Sequence, residues 1–565
     1  MDQDCREQIM SEDYADLLVR YININSIVES GYCYSIISNN DAVIHMPVEN
    51  LPNNYIQLYG YGVNPSCYGL MDIPSIEASG VYTLRSLPAT NLRGQGVLVG
   101  IVDTGIDYTH DAFLHADNTS RIISIWDQTI QEGDPPEGFN FGTEYVQTEI
   151  NEALQMPNPD AFVPTTDNIG HGTFLAGIAA GNTIESESFS GVAPDSELVV
   201  VKLKEAKLYL KEFFRIPADA TAYQENDIML AVSYLLQVAS RLQRPISICI
   251  GVGTSQGAHD EMGTFTSYLN FASNIAGVAV SIAAGNESNR GHHYYGVIGN
   301  NIEYDTVELR VGPNEYGFSM ELWGNAPNTF SIDILSPTGE YIPRIPARIN
   351  ESREIRFIFE ETVINIDYFL IESQTGDQLI LVRFLSPTEG IWRFRVYATG
   401  DLELSYHVWL PISEFMSGNT FFAEPTPTTT VTSPGNSITP MTVTAYNIAN
   451  NSLYINAGRG FSRTGIVVPD FAAPGVNLIG PTPNNSYTVM SGTSIATAHN
   501  TGIAALLLEW GVTLGNLPSL STVEIKNLLI RGAVRDPNNI YPNPNWGFGI
   551  INLYNTFINI RGDIL

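Results

Sequence analysis

The 565-residue sequence is poor in basic residues and contains no long apolar run. Lys and Arg number 27 against 60 Asp and Glu, which gives a formal net charge of −33. Nucleic acid and anionic membranes carry charge of the same sign, so this excess of acid argues against both as partners. No stretch approaches the roughly 18 apolar residues that cross a membrane. Residues 1–7 also lack the basic start and apolar core of a secretory signal, so we expect the chain to stay in the cell that makes it.

Cysteine is scarce as well. The four cysteines, Cys5, Cys33, Cys67 and Cys249, form no C-x-x-C pair and no dense framework. A disulfide scaffold or a zinc site is therefore not expected, and a reducing compartment is the default expectation. Cys249 lies in the apolar run 246–250, where a free thiol behaves as a small buried hydrophobic group.

What the sequence does contain is polar residues at the ends of apolar elements. The apolar run 97–102 predicts a buried parallel strand that carries Asp103 to its carboxyl end, where open α/β sheets place their ligands. His171 precedes a helix of small residues, and Ser494 begins a second apolar helix. A helix N-terminus stabilises developing negative charge, which a serine nucleophile needs. Taken alone, the Ser-Gly-Thr-Ser run that ends at Ser494 is more often an ordinary loop and N-cap.

Several further motifs accompany these three residues in a fixed order along the chain. They are Val102-Asp103-Thr104-Gly105, Gly170-His171-Gly172-Thr173, Gly191-Val192-Ala193-Pro194, Ala283-Ala284-Gly285-Asn286, Ala473-Pro474-Gly475 and Ser491-Gly492-Thr493-Ser494. The chain order Asp, His, Ser is that of the subtilisin triad. Over roughly residues 95–555 the sequence resembles the subtilisin-like serine proteases, or subtilases. Within that family it is most similar to the Csp germination proteases of spore-forming clostridia, which carry a long β-rich insertion before the serine.

The resemblance implies an enzyme that hydrolyses peptide bonds, with roles for several residues. Ser494 would be the nucleophile, His171 the general base and Asp103 the residue that orients the imidazole. The Asn286 side chain and the Ser494 backbone N–H would bind the oxyanion. The edge Gly251-Val252-Gly253 would pair with substrate backbone as an added strand, which requires little side-chain bulk. Without the resemblance, the asparagine is interpreted as a turn residue and the glycines as a tight turn.

Neither a cofactor nor a metal site is indicated by the sequence. The remaining histidines that we considered form no ligand pattern with spaced Cys, Asp or Glu, and we expect them to be structural or solvated. They are His110, His115, His292, His293 and His499.

The expected fold class is α/β: a subtilisin-like parallel sheet with helices on both faces, an inserted antiparallel β-sandwich of jelly-roll type, and a small N-terminal prodomain-like segment. Residues 226–243 carry apolar positions at i, i+3 and i+4 and predict an amphipathic helix of the α/β part. The predicted ranges are 1–78 for the N-terminal segment, 79–300 and 426–565 for the two parts of the catalytic domain, and 301–425 for the insertion.

The N-terminal segment and the insertion each leave alternatives open. The segment shows a short helical candidate at 13–21, strand-like runs at 34–37 and 42–46, and no identifiable cleavage site. By resemblance it is an intramolecular inhibitor that occupies the substrate cleft, and the alternatives are a degenerate prosegment and a structural cap. The insertion shows short strands of alternating polarity, which favour a stabilising or partner-docking module over a carbohydrate-binding one.

These observations together predict a serine endopeptidase that acts on protein or peptide substrates through a Ser/His/Asp acyl-enzyme mechanism. The subgroup resemblance adds activation of a zymogen during spore germination. Many subtilases are exported, so the absence of a signal predicts the cytoplasm or the spore as the location. The alternative is a catalytically silent subtilase-fold binding or signalling protein. The presence of all three triad residues and Asn286 favours the enzyme.

Overall fold

The structure, a computed structural model, describes residues 3–21, 24–28, 31–52, 54–70, 79, 81, 91–187, 189–299, 301–349, 351–416 and 419–561. We divide it into three parts. They are the N-terminal segment (3–70), the α/β core (91–292 and 423–561) and the inserted sandwich (293–422). None of the helices in the described ranges is long and apolar enough to cross a membrane.

The N-terminal segment is built around a small antiparallel sheet. Its elements are α1 (Gln3–Met10), β1 (Tyr14–Arg20), α2 (Ile24–Val28), β2 (Cys33–Ile36), β3 (Asp41–Pro47), α3 (Tyr55–Tyr59) and β4 (Cys67–Leu70). The sheet has the order β1-β3-β2. The helix predicted at 13–21 is wrong, because these residues form β1 and pair with β3. Leu17 and Leu18 point to opposite faces of β1 and both are buried, so tertiary pairing overrides the helical pattern.

The cysteine prediction is wrong for one pair. Cys5 of α1 and Cys33 of β2 form a disulfide with a Cα–Cα distance of 5.4 Å. The two residues are 28 positions apart, and it is the packing of α1 beside β2 that brings them together, which spacing alone does not indicate. Cys67 and Cys249 are free and buried, and burial raises the pKa of both thiols.

The first stretch of the α/β core alternates strands with helices, as the sequence predicts. Its strands are β5 (Leu98–Asp103), β6 (Ile122–Asp127), β7 (Thr143–Val146), β8 (Glu197–Lys202), β9 (Tyr223–Gln224), β10 (Ile246–Ile250), β11 (Val252–Gly253) and β12 (Val278–Ala283). Its helices are α4 (Gln147–Leu154), α5 (His171–Ala180), α6 (Leu208–Phe214), α7 (Glu225–Leu242) and α8 (Thr264–Ala272). The helix predicted at 226–243 is α7.

The inserted sandwich consists of two antiparallel sheets. Its strands are β13 (His293–Ile298), β14 (Asp305–Val311), β15 (Gly317–Gly324), β16 (Thr329–Leu335), β17 (Tyr341–Ile345), β18 (Glu351–Arg356), β19 (Val363–Phe369), β20 (Gln378–Leu385), β21 (Gly390–Thr399), β22 (Leu404–Trp409) and β23 (Phe421–Phe422). The sheet orders are β13-β22-β15-β20-β19-β18 and β17-β16-β21-β14-β23. Phe318 and Phe384 of one sheet and Ile332 and Phe394 of the other share one buried cluster, so the sheets pack face to face.

The second stretch of the core completes the central sheet. Its elements are β24 (Met441–Asn447), β25 (Ser452–Leu453), β26 (Phe471–Pro474), β27 (Leu478–Thr482), β28 (Ser486–Met490), α9 (Thr493–Leu508), α10 (Thr522–Gly532) and α11 (Leu553–Arg561). The central sheet has the order β25-β24-β12-β10-β5-β8-β6-β7, and β26 also pairs with β24. The pairs among β24, β12, β10, β5, β8 and β6 are all parallel.

Helices cover both faces of this sheet. Val99 and Ile101 of β5 pack in the cluster that contains α5 and α9, whereas Leu98 and Val102 pack in the cluster that contains α7 and α8. The two faces of one strand therefore meet different helix layers. The predicted fold class is confirmed: a mixed α/β fold with a parallel central sheet and additional antiparallel sheets.

The three parts share one hydrophobic cluster. The ring of Tyr61, from the N-terminal segment, lies edge-on to Phe214 of the core at 6.5 Å between ring centroids. The same ring meets Trp323 at 6.3 Å and Phe369 at 6.4 Å, both of the inserted sandwich. The N-terminal segment is thus packed between the core and the insertion, which places its last strand, β4, near the carboxyl edge of the central sheet.

Candidate active site

Three side chains predicted from the sequence meet at the carboxyl edge of the sheet. Asp103 ends β5, His171 is the first residue of α5, and Ser494 is the second residue of α9. His171 Nδ1 lies 2.7 Å from Asp103 Oδ1, and His171 Nε2 lies 3.1 Å from Ser494 Oγ. A carboxylate only accepts hydrogen bonds, so Nδ1 carries the proton and Nε2 is left to accept from the serine hydroxyl. All three residues are buried.

Small residues allow the first two elements to approach so closely. A β carbon at Gly172 would lie 2.2 Å from the carbonyl oxygen of Gly105, so only glycine lets the start of α5 pack against the turn after Asp103. The Gly172 N–H donates to Thr104 Oγ1 at 2.9 Å. The Thr104 N–H donates to Asp103 Oδ1 at 2.8 Å. The turn after β5 is therefore bonded both to the carboxylate and to the start of α5, which fixes the carboxylate beside the imidazole.

Asp167 organises the same region and was missed by the sequence analysis. Its Oδ1 accepts from Thr104 Oγ1 and from the Gly170 N–H, both at 2.8 Å. Its Oδ2 accepts from the Thr173 N–H at 2.9 Å and from Thr173 Oγ1 at 2.7 Å. Asp167 therefore binds N–H groups at the start of α5 and ties the helix to the Thr104 turn. An acidic residue shortly before a helix start is a recognised N-terminal signal, and that signal could have found it.

Asn286 lies in the loop after β12 and faces the start of α9. Its Oδ1 lies 3.3 Å from the Thr493 N–H and 3.2 Å from Thr493 Oγ1, and both of these groups donate to it. Thr493 Oγ1 in turn accepts from the Gly285 N–H at 3.0 Å. Thr493 directly precedes Ser494, so these bonds fix the asparagine loop against the residue that carries the hydroxyl.

The predicted glycine-rich edge, Gly251, Val252 and Gly253, runs past Asp103 and His171. A β carbon at Gly251 would lie 3.3 Å from His171 Cε1 and 3.2 Å from Asp103 Oδ2. It would also lie 2.6 Å from Leu175 Cδ1, so glycine is needed for this close approach. The glycine-rich edge therefore lies directly beside the histidine and the aspartate.

That edge is paired with the N-terminal segment. β4 forms the central strand of a three-stranded sheet with the order β11-β4-β9. Leu70 pairs with Val252 and Gly69 with Gly253 on one side, and Tyr68 pairs with Tyr223 on the other. β4 thus fills the space between two backbone edges and points its carboxyl end toward Gly251.

Buried ionisable groups lie in and beside this three-stranded sheet. Glu225 accepts from the backbone N–H groups of Ser66 at 3.0 Å and Phe265 at 3.1 Å, and burial raises the pKa of its carboxyl group. Burial, followed by the negative charge of Asp103, raises the pKa of the Tyr223 phenol. No group of three or more His, Cys, Asp or Glu side chains in the described residues is arranged to hold a metal ion.

Several of the remaining histidines have partners of their own. His110 Nδ1 accepts from the Ala112 N–H, His292 pairs with Glu287 at 2.7 Å, and His115 is exposed. A cluster of stacked rings at the junction of core and sandwich was not predicted. It contains His259, His293, His407 and Trp409.

The chain matches a known family of proteins. The model of the subtilase family matches residues 94–307 and 394–549, which is more than half of the chain. The chain therefore belongs to the subtilase family, the family of subtilisin-like serine peptidases, as its motifs predicted.

A solved structure gives a more specific similarity. The CspB protease of Clostridium perfringens is 29% identical in sequence and superposes with a TM-score of 0.76, covering 86% of this chain and 97% of that protein. Among curated relatives, the subtilisin-like protease SBT3.10 of Arabidopsis thaliana is 23% identical over 79% of this chain. SBT1.9 of the same plant is 30% identical over 21% of this chain. These two matches span 58% and 18% of the plant proteins' own lengths.

Proposed function

We propose that the protein is a serine endopeptidase in which Ser494 is the nucleophile. The single observation that carries this proposal is the hydrogen-bonded series Asp103, His171, Ser494, with distances of 2.7 Å and 3.1 Å. Ser494 Oγ attacks the carbonyl carbon of the scissile peptide while His171 Nε2 takes its proton. Asp103 holds the imidazole in the tautomer that accepts this proton and stabilises the imidazolium that results.

The tetrahedral intermediate needs a site for its negative oxygen. Asn286 and the backbone N–H of Ser494 are our candidates, because the asparagine loop is bonded to Thr493 beside the nucleophile. When the intermediate collapses, the imidazolium returns its proton to the leaving amine and the acyl group remains on Ser494. Water then enters, His171 takes its proton, and the second tetrahedral intermediate releases the acid product and the free serine.

We assign the substrate backbone to the space between Val252-Gly253 and Tyr223-Gln224. β4 already pairs with both edges there, so the N-terminal segment behaves as an intramolecular inhibitor that mimics an extended substrate. Because β4 runs toward Gly251 and the histidine beside it, we expect self-cleavage on the carboxyl side of Leu70.

The physiological substrate is a further proposal. The subgroup resemblance, together with the similarity to the CspB protease, favours activation of a zymogen during spore germination. Spores that carry Ser494→Ala and still germinate at the normal rate would remove this role, while leaving the peptidase assignment untouched.

The alternative function is a catalytically silent binding protein. The observation that favours it is the burial of Ser494 together with a cleft already filled by β4. Intact mass of purified wild type beside Ser494→Ala separates the two. We expect wild type to lose an N-terminal fragment that includes Leu70 and Ser494→Ala to keep its full mass. Wild type that stays intact under all conditions would favour the binding protein.

A further inference from the structure

The strand that fills the cleft has glycine at one position where a β carbon would clash with a side chain of the inserted sandwich. A β carbon at Gly69 would lie 2.5 Å from Ile412 Cδ1. It would also lie 3.6 Å and 3.7 Å from Cε1 and Cζ of Phe415. Both of these residues follow β22 of the sandwich and are fully buried. On the side of β4 that Gly69 faces, the cleft is therefore covered by residues outside the α/β core.

Ile412 and Phe415, which we call the cover, are held in place by their neighbours. Ile412 and Phe415 belong to the hydrophobic cluster that the three parts of the chain share, so the Ile412 methyl group has packed neighbours around it. Between them, Ser413 donates through its N–H at 3.4 Å and through Oγ at 3.2 Å to the carboxylate of Glu287. Glu287 directly follows Asn286. The cover is thus hydrogen-bonded to the same loop that carries the proposed oxyanion donor.

The preceding residue of the same strand, Tyr68, has a large side chain that is buried. Tyr68 is only 2% exposed, and its ring lies edge-on to Phe265 with 5.8 Å between centroids. Successive residues of a strand point to opposite sides, so Tyr68 enters the core while Gly69 faces the cover. Tyr68 is therefore buried against an aromatic ring of the core, whereas a β carbon at the next position would clash with Ile412.

We propose that Ile412 and Phe415 are specificity-determining residues through which the insertion selects glycine at the position of Gly69. This inference rests on the proposed function. It assigns a substrate class: extended protein segments in which an aromatic residue is followed by glycine and one further residue, with the cleaved bond on the carboxyl side of these three residues. Any larger residue would push Ile412 into a packed cluster, and overpacking of this kind is unfavourable.

The test follows self-cleavage by intact mass over time. Gly69→Ala should cleave itself at least about tenfold more slowly than wild type, because the added methyl group meets Ile412 Cδ1. Gly69→Ala combined with Ile412→Ala removes that atom and should return the rate to within about threefold of wild type. Gly299→Ala is the matched control, because a β carbon there comes no closer than 3.5 Å to its neighbours. A wild-type rate for Gly69→Ala, or a double variant as slow as the single one, would overturn the inference.

A second measurement applies if Gly69→Ala does not fold. Processed wild type is given two synthetic peptides with the sequence of residues 64–78, one natural and one with alanine in place of Gly69. We expect at least about a tenfold preference in kcat/KM for the glycine peptide, and the loss of this preference in Ile412→Ala. Equal rates for the two peptides with wild type would overturn the inference. A wild type that neither cleaves itself nor cleaves either peptide would instead contradict the proposed peptidase function.

Discussion

Among the described residues, two Ser–His–Asp hydrogen-bonded series occur, and their surroundings differ. In the N-terminal segment, His45 Nδ1 lies 2.7 Å from Asp16 Oδ1 and Nε2 lies 3.2 Å from Ser35 Oγ. Ser35 belongs to the strand β2, whereas Ser494 stands at a helix N-terminus beside the Asn286 loop. A glycine-rich edge lies beside His171, the histidine bonded to Ser494. Asp16 also forms an ion pair with Lys207. At the scale of single residues, the helix start and the Asn286 loop beside the serine, together with the glycine-rich edge beside the histidine, distinguish the proposed site.

The oxyanion assignment predicts the effect of removing Asn286. Asn286→Ala should lower kcat by about 10²–10³-fold with a much smaller change in KM, because the donor acts mainly on charge that develops in the transition state. The magnitude is the one known for an oxyanion donor of subtilisin itself and is borrowed from it. The measurement is steady-state cleavage of a peptide substrate. A variant that changes KM alone would place Asn286 in substrate binding instead.

At the scale of elements, a buried ionic cluster attaches the N-terminal sheet to the core. Asp16 Oδ1 on β1 lies 2.9 Å from Lys207 Nζ, and Oδ2 accepts from Gln224 Nε2 at 2.9 Å. Gln224 belongs to β9, one of the two strands that flank β4. Burial alone would raise the pKa of Asp16, but the charges of Lys207 and His45 hold it well below its usual range. The same cluster therefore supports both the N-terminal sheet and the wall of the cleft.

Asp16→Asn should weaken this attachment. Removing one member of a buried ion pair leaves the Lys207 ammonium without its closest carboxylate, which costs about 3–5 kcal/mol. We expect a clearly lower Tm at pH 7 when the substitution is made in the uncleaved Ser494→Ala protein. Because the folded pKa of Asp16 is depressed, its contribution is complete above the unfolded pKa of about 3.9 and declines as the pH falls below it.

The Tm difference between Ser494→Ala proteins with and without Asp16→Asn should therefore shrink below about pH 4. Asp13→Asn is the matched control, since Asp13 is exposed in the same segment. A difference that is absent at pH 7, or that grows on acidification, would contradict the role given to Asp16.

The sequence indicated the residues of the proposed triad because each is flanked by its own short motif of small residues. The asparagine and the glycine edge are found in the same way. No short motif in the sequence indicates the pairings between residues that are far apart along the chain. Cys67–Leu70 shows no clear strand pattern, and its partners Tyr223 and Val252 lie far along the chain. The same reason explains two wrong predictions, a helix in place of the strand Tyr14–Arg20 and free thiols in place of the Cys5–Cys33 bond. Both the strand and the disulfide depend on tertiary neighbours.

At the scale of the whole molecule, the insertion is joined to the core by the stacked aromatic cluster. The ring of His259, from the core, stacks on Trp409 of the sandwich at 4.1 Å. His293 Nε2 and His407 Nδ1, both of the sandwich, lie 2.9 Å apart. Burial lowers the pKa of His259 to about 4 and that of His293 to about 3, and burial followed by the neighbouring His293 lowers that of His407. Arg463 adds positive charge beside His259 and His407.

This cluster predicts that the protein loses stability in mild acid. The imidazoles stay neutral in the folded state, while the unfolded chain binds protons below about pH 6.5. Their contribution is therefore complete above about pH 6.5 and declines toward about pH 4, by ~2 kcal/mol at about pH 5 for His259. We expect the Tm to fall between about pH 7.5 and pH 5, and His259→Gln to reduce this pH dependence. His115→Gln, at an exposed position, should leave it unchanged.

The most direct test of the proposed triad is to locate the reactive serine chemically. Self-processed wild type is treated with a fluorophosphonate, which forms a covalent adduct with an activated serine, and the modified residue is identified by peptide mapping. We predict one adduct, on Ser494, that is absent from Ser494→Ala. An adduct on any other serine, Ser35 included, or no adduct on a wild-type chain that has released its N-terminal segment, would contradict the assignment of Asp103, His171 and Ser494 as the catalytic triad.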